Sequence, residues 1–298
     1  MNNVVLLGVD WGSSSVRAFA IARDGTAAAV KRADDGVFTG SGGFDARLRS
    51  HLGDWLERWP SAPILLCGMV GSDRGWVHAP YVAAPAGLSE LAGALAPVRF
   101  ERNARIVPGV SFASGETCEV MRGEETLLMG LSKQASRSLV CLPGTHSKWA
   151  DLADGRITGF RTYMTGELRA LLLVQGALAT TVTQIDSHEV FLAGIAAARE
   201  DAAPTRTLFQ ARARRLLGTL APEHTASFVS GVLIGAETAA EAGAGAVLLA
   251  ARGDLADAYG AALREARLDV TLVDPEPLAA SGLLRIAVAA GLVRTDSM

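Results

Sequence analysis

Two segments of this chain, about one domain apart, follow the same plan. The first is VVLLGVDWGSSSVRAFAI, residues 4–21, and the second is SLVCLPGTHSKWADL, residues 138–152. Each reads as an apolar strand, a turn rich in Gly, Ser and Thr, and a second strand. Such a turn presents backbone N–H groups and short hydroxyls between two stiff strands, a concavity that attracts anions and phosphates above all. One copy is weak, because Gly-Ser turns close many ordinary hairpins. Two copies, one per half, point to two lobes gripping one polyphosphate.

The rest of the chain narrows the class. Its 298 residues suit two domains, and a net charge of −3 gives no basic footprint for nucleic acid. Apolar runs such as LRALLLVQGALA are broken by Arg or Gln, short of the roughly 18 residues of a membrane span. A strand begins almost at the N-terminus, so no signal peptide is expected. Cys67, Cys118 and Cys141 lie far apart, without metal spacing. A cytoplasmic, reduced, globular protein is expected.

The pattern along the chain restarts once. Residues 4–10, 16–22 and 27–32 read as strands. Phe44 to Trp59 carries apolar residues at helical spacing, which predicts one helix ended by Pro60. APILLCGMVG reads as a buried strand. The stretch 71–85, GSDRGWVHAPYVAAP, is too irregular for a core element and is a candidate substrate loop. ARIVPGV at 104–110 reads as a strand and GEETLLMGL at 123–131 as a helix with an acidic first turn. After the bridge SKQASRS come three more strands, then helices over 166–181, 188–199, 204–219 and 226–243. A strand at 245–253, a helix, a strand and a closing helix complete the chain. The expected fold is therefore α/β with a duplicated lobe. The boundary falls near residue 133, giving lobes of 1–133 and 134–298, with the last helix free to pack back toward the first.

Several side chains are placed for chemistry. Asp10 ends the first strand beside the turn Gly12, Ser13, Ser14, Ser15, where it would hold Mg²⁺ through water or simply cap the turn. The serines are phosphate ligands or a solvated turn. Arg17 is an anion ligand or a surface charge. In the second loop Gly144, Thr145, His146, Ser147 and Lys148 crowd together. Lys148 would neutralise a phosphate or carboxylate, and His146 reads as a hydrogen-bond donor before a base. No G-x-x-x-x-G-K-[ST] is present, so phosphate binding here is not that of a P-loop. Glu124 and Glu125 open a helix, where a carboxylate either takes a proton from a hydroxyl or compensates the dipole. Asp73, Arg74 and Trp76, with Arg161, Thr165, Glu167 and Arg169, form a second polar set suited to an anionic small molecule or to ordinary surface.

Six blocks, GVDWGSSSVRAFAI, GMVGSDRGWVHAPYVAAPAGL, VMRGEETLLMG, LPGTHSKW, FRTYMTGELRALL and FVSGVLIGAE, resemble in order the 2-dehydro-3-deoxygalactonokinases, of the hexokinase–actin–heat-shock ATPase superfamily. The resemblance implies two ribonuclease-H-like lobes with mixed sheets flanked by helices, and ATP in the cleft between them. It implies transfer of the γ-phosphoryl group to the 6-hydroxyl of 2-dehydro-3-deoxy-D-galactonate. The two phosphate motifs fall on Asp10 to Ser15 and on Gly144 to Lys148, and the adenosine motif on Val247 to Gly253. The substrate would meet Gly71, Ser72, Arg74, Trp76, His146, Arg161, Thr165 and Glu167. Its carboxylate calls for a cation, with Arg74, Arg161 and Lys148 as candidates. The helix GEETLLMG stands where related sugar kinases carry D-x-x-x-A-L-x-G, so Glu124 is the expected base, with Mg²⁺ as the metal. The partners are ATP and a sugar acid, and a homodimer is one expected assembly. The rival readings are a kinase of another sugar or sugar acid, an actin-like nucleotide switch, and a regulator derived from a kinase. The last would need a DNA-binding extension.

Overall fold

The structure is a computed structural model that describes residues 4–131, 137–243 and 245–294. The boundary expected near residue 133 lies outside the described residues. In chain order the first part forms β1 (Val4–Trp11), β2 (Val16–Ala22), β3 (Ala27–Ala33), α1 (Phe44–Leu52), α2 (Trp55–Arg58), β4 (Ile64–Gly68), β5 (Tyr81–Ala83), α3 (Leu88–Gly93), β6 (Ala96–Val98), β7 (Ala104–Ile106), β8 (Gly109–Ser114), β9 (Thr117–Met121) and α4 (Glu124–Leu131). The second part forms β10 (Arg137–Leu142), β11 (Ser147–Ala153), β12 (Arg156–Tyr163), α5 (Thr165–Val174), α6 (His188–Glu200), α7 (Pro204–Leu216), α8 (Thr225–Ala240), β13 (Ala246–Ala250), α9 (Gly253–Glu265), β14 (Asp269–Val273) and α10 (Pro275–Ala289).

The two large sheets repeat one order. The first runs β3-β2-β1-β4-β7-β6 and the second β12-β11-β10-β13-β14. In both, a three-strand meander is extended from its first strand by later strands. β1 pairs antiparallel with β2 but parallel with β4, and β10 pairs parallel with β13. Parallel neighbours need helical crossovers, which cover the sheet faces. β1 and β4 are accordingly almost wholly apolar and buried. This is the ribonuclease-H-like α/β arrangement expected from the resemblance, present twice.

Contacts divide the chain into two units. One comprises the chain up to Arg137, Ala150–Phe160 and everything from Asp274 on. The other comprises Ser138–Trp149 and Arg161–Val273. A single cut near 133 does not describe this division. The tip of the β11–β12 hairpin belongs with the first unit because Ile157 exchanges backbone hydrogen bonds with Ala86. α10 belongs there because Leu283, Ile286 and Ala287 are fully buried and the helix packs on α4, α3 and β1.

In the first unit Leu7, Val9, Trp11, Leu48, Leu52, Ile64 and Leu66 form the core beneath the sheet. The helix expected over 44–59 is two helices. Apolar residues keep helical spacing through the break, but Gly53 takes φ +54° and turns the chain between Leu52 and Trp55. The strand expected over 104–110 divides into β7 and β8. β8 joins β5 and β9 in a separate three-stranded sheet. In the second unit α6 and α8 form the most extensive helix pair, with Phe191, Ile195, Phe228 and Val232 buried.

Candidate active site

In the first unit the site is built around the end of β1. Asp10 lies opposite Arg17 in the β1–β2 register, and the two form an ion pair. The carboxylate holds the guanidinium charged, moving Arg17 further above its ordinary value. Asp10 is partly buried and is therefore not a bare carboxylate. One oxygen carries the arginine and the other faces Gly68, whose added Cβ would stand 3.2 Å from Oδ1 and 2.8 Å from the Trp11 carbonyl. Gly68 takes φ +89°, a conformation that a larger residue could adopt only with strain. Gly123 approaches from the other side, its Cβ position 3.3 Å from the Gly68 Cα. This close approach brings the start of α4 beside Asp10.

The first loop is held from behind. Gly12 N–H donates to the Ser15 carbonyl at 2.9 Å, closing the turn. Val37 and Phe38 N–H groups donate to the carbonyls of Gly12 (2.9 Å) and Ser13 (3.0 Å), and Thr39 Oγ1 to that of Ser14 (3.3 Å). With its carbonyls engaged, the exposed Ser13–Ser15 turn presents amides and hydroxyls. The backing segment is itself fixed by Arg47, a buried guanidinium bound to the Asp35 carboxylate and to the Gly36 carbonyl. Arg47, and then His51, hold the Asp35 carboxyl below its usual range.

The two glutamates of α4 differ sharply. Glu124 is partly exposed and accepts from Arg122 N–H at 3.0 Å. Glu125 is fully buried, with Oε2 accepting from Gly123 N–H at 2.6 Å and Oε1 from Thr126 Oγ1 at 3.0 Å. Burial, followed by the neighbouring Glu124 charge, raises the Glu125 pKa to about 8. The folded state therefore keeps a proton that the unfolded chain releases near its ordinary value. Between about pH 4.5 and 8 stability should fall with rising pH, by at most about 1.4 kcal/mol per unit. Melting temperatures measured from pH 5 to 8 should show this fall in the native protein and a flatter profile in Glu125→Gln. Parallel profiles would show that Glu125 is ionised in the folded protein throughout.

The 71–85 segment is better packed than its composition suggests. Trp76 stacks on Phe44 at 6.1 Å and meets the edge of Phe100. Gly71 is buried against Ile106 and Ala79, and Ser72 Oγ donates to the Met69 carbonyl at 2.7 Å. Gly71 and Trp76 therefore act in packing. Arg74 is exposed, its guanidinium 4.2 Å above the Phe38 ring and so next to the backing of the first loop. Sequence reasoning passed over Arg122. Its buried guanidinium donates to the Ala79 carbonyl at 2.8 Å and lies over Tyr81, while Nε and Nη1 have no acceptor among the described residues. Nothing in the local sequence marks it apart from its place before Gly123.

In the second unit the loop after β10 is seated on the first turn of α5. Glu167 N–H donates to the Thr145 carbonyl at 3.0 Å, and the Cβ position of Gly166 lies 2.4 Å from the Gly144 carbonyl. Glycine at 166 is therefore required by the close approach of two backbones. Around Gly144 the Cβ direction is open, and Thr145 and His146 are exposed. His146 Nε2 and Glu167 Oε2 are 2.5 Å apart. Two expected ligands are committed elsewhere. Lys148 is buried and donates to the His146 carbonyl at 3.0 Å, bracing its own loop. Arg161 forms a two-pronged pair with Glu241, at 2.8 and 2.9 Å, and Tyr163 donates to the same carboxylate. Thr165 is also turned inward, its hydroxyl donating to Glu237. Glu237 in the last turn of α8 and Glu241, the residue just past its end, are the residues sequence reading missed. Glu237 is the last residue of the block FVSGVLIGAE, which carried no assigned role, and Glu241 lies four residues beyond it.

Gly253 opens α9 with φ +55° and nothing near its Cβ direction. Beside it lies a cavity of about 380 Å³ lined by Ile185, His188, Phe191, Asp254, Asp257 and Arg264. The size suits a nucleoside. Among the described residues no group of three or more His, Cys, Asp or Glu side chains could hold a metal ion. A single carboxylate such as Asp10 does fit Mg²⁺, which keeps several waters and takes one or two carboxylates plus substrate phosphates.

The chain matches the model of the 2-keto-3-deoxy-galactonokinase family over residues 10–286. It is 40% identical over 288 residues to a protein of Rhizobium meliloti (strain 1021) named as a probable 2-dehydro-3-deoxygalactonokinase, covering 92% of this chain and 94% of that one. It is 36% identical over 287 residues to the 2-dehydro-3-deoxygalactonokinase of Escherichia coli (strain K12), covering 94% and 97%. A crystal structure from Sinorhizobium meliloti, provisionally given the same enzyme name, superposes with a TM-score of 0.84 at 37% identity, over 95% of this chain and 98% of that one. The activator of 2-hydroxyisocaproyl-CoA dehydratase from Clostridium difficile, at 12% identity and a TM-score of 0.51, shares the fold alone. Family model, relatives and fold agree, and this chain belongs to the 2-keto-3-deoxy-galactonokinase family.

Proposed function

We infer that the protein phosphorylates 2-dehydro-3-deoxy-D-galactonate with ATP, at the 6-hydroxyl, as a step in galactonate breakdown. The observation that carries the reading is the match to relatives of this activity over more than nine-tenths of the chain. The geometry of each unit supports it. The Gly12–Ser15 turn offers outward amides and hydroxyls to phosphate oxygens. Gly144 and Thr145 offer the same from the second loop, with Lys148 bracing it and His146 and Glu167 at its rim. The cavity beside Gly253 takes the adenosine. Mg²⁺, held by Asp10 through water, would offset charge on the phosphates.

In this reading the enzyme works mainly by positioning and electrostatics. Glu124, the partly exposed carboxylate of α4, takes the proton of the acceptor hydroxyl. Arg74 binds the substrate carboxylate, because Arg161 is already neutralised by Glu241 and Lys148 is engaged within its loop. Ser72 and Thr165 support the surrounding backbone. No described helix is long and apolar enough to cross a membrane, and a cytoplasmic setting fits a sugar-acid kinase. A homodimer is the assembly we propose.

The test is an ATP-consumption assay over a panel of sugar acids and neutral sugars. Turnover should be highest with 2-dehydro-3-deoxygalactonate. Ready turnover of glucose or glycerol with the keto acid untouched would refute the substrate. Arg74→Ala should raise KM for the keto acid at least tenfold, as loss of a charge-assisted pair does, and change KM for ATP little. An unchanged KM would move the carboxylate to another cation.

A further inference from the structure

We propose that Glu237 is the positioning residue of the second phosphate loop, its buried carboxylate fixing both the strand that leaves the loop and the helix on which the loop rests. The inference depends on the kinase reading. Trp149 Nε1 donates to Glu237 Oε1 at 2.8 Å, and Tyr259 Oη donates to Oε2 at 2.8 Å. Thr165 Oγ1 donates to Oε2 as well. Because Tyr259 gives its proton to Glu237, the Ser147 hydroxyl, 2.7 Å away, donates to the tyrosine oxygen. Ser147, Trp149, Thr165, Tyr259 and Glu237 are all buried.

The placement of these donors carries the proposal. Ser147 and Trp149 stand on either side of Lys148 at the start of β11, directly after Gly144–His146. Alternate residues share one strand face, so Trp149 reaches the carboxylate directly and Ser147 reaches it through the Tyr259 hydroxyl. Thr165 opens α5, and the next two residues, Gly166 and Glu167, hold Gly144 and Thr145. Glu237 thus joins the loop's exit and its seat from one point, with Trp149, Thr165 and Tyr259 all donating to its carboxyl group. A buried charge is a poor choice for stability alone, since apolar residues of equal volume commonly serve as well or better. A fixed geometry at the loop is what this arrangement adds, and displacement of a binding group by about 1 Å can cost roughly a hundredfold.

The test uses the full-length protein and ADP titration calorimetry, with steady-state kinetics beside it. Glu237→Gln keeps the shape but brings an NH₂ group against donors, so one hydrogen bond must break. ADP should bind roughly tenfold more weakly and KM for ATP should rise in step, the usual size of effect for an outer-layer partner, while KM for the sugar acid stays within about twofold. Tyr259→Phe, which removes only the hydroxyl, should shift ADP binding in the same direction by about threefold, and it carries the test if Glu237→Gln does not fold. Val232→Ala, in the apolar cluster of α8, is the control for lost stability. Native-like ADP binding in Glu237→Gln and Tyr259→Phe would overturn the proposal. So would an equal weakening in Val232→Ala at matched melting temperature. A native protein that binds no ADP would instead refute the kinase reading itself.

Discussion

Glu124→Gln is expected to lower kcat by roughly 10²–10⁴, the range for a positioned general base, with a much smaller change in KM for the sugar acid. Adjacent residues on a helix diverge by about 100°, so Glu124 and Glu125 cannot serve the same hydroxyl. The structure separates them further. Glu125 is fully buried and accepts from Gly123 N–H and Thr126 Oγ1, while Glu124 is partly exposed at the helix start. Gly123 stands against Gly68, which in turn faces Asp10, so the start of α4 lies beside the end of β1. Glu125→Gln is the decisive control. It should mainly alter the pH dependence of stability. Equal, mild effects of the two variants on kcat would return both glutamates to compensating the dipole and capping backbone amides, and a larger loss in Glu125→Gln would reverse the assignment.

Asp10→Asn is expected to cut kcat about a hundredfold, corresponding to about 3 kcal/mol for one electrostatic contact at the reacting phosphate. The fold should survive, because Arg17, the group left without its partner, is about a third exposed and can be hydrated. The ion pair also sets a signature. If Asp10 holds Mg²⁺ as proposed, Arg17 would compete with the cation for the same carboxylate, so Arg17→Met should lower the Mg²⁺ concentration needed for half-maximal rate, while Asp10→Asn should raise it. Near-normal turnover of Asp10→Asn at saturating Mg²⁺ would remove Asp10 from the site.

The legible parts of the sequence were those fixed by short-range chemistry. Strand, polar turn, strand is written into residues 4–21 and 138–152, and the antiparallel first pair of each large sheet follows from it. The closing helix was readable from its apolar face. What the sequence concealed was set at long range. Residues 44, 48, 52 and 56 keep helical spacing across Gly53, so the break there is silent until the backbone is seen. The β8–β9 hairpin is short and rich in Gly and Ser, so alternation never becomes visible. Arg161 and Lys148 look like free cations in a linear reading. Arg161 is paired with Glu241, 80 residues away, and Lys148 is buried and donates to the His146 carbonyl of its own loop. The contrast between Glu124 and Glu125 is equally invisible, since only packing decides which of two neighbours is buried.

Phosphoryl transfer from ATP to the 6-hydroxyl of 2-dehydro-3-deoxy-D-galactonate can be read from the position of the new phosphate. The most direct measurement is phosphorus–proton correlation NMR of the product formed by the purified protein with ATP, Mg²⁺ and the keto acid. A monophosphate ester coupled to the C6 protons, formed in proportion to ADP, is expected. Phosphate on another oxygen, or ADP released with inorganic phosphate and the keto acid unchanged, would contradict it.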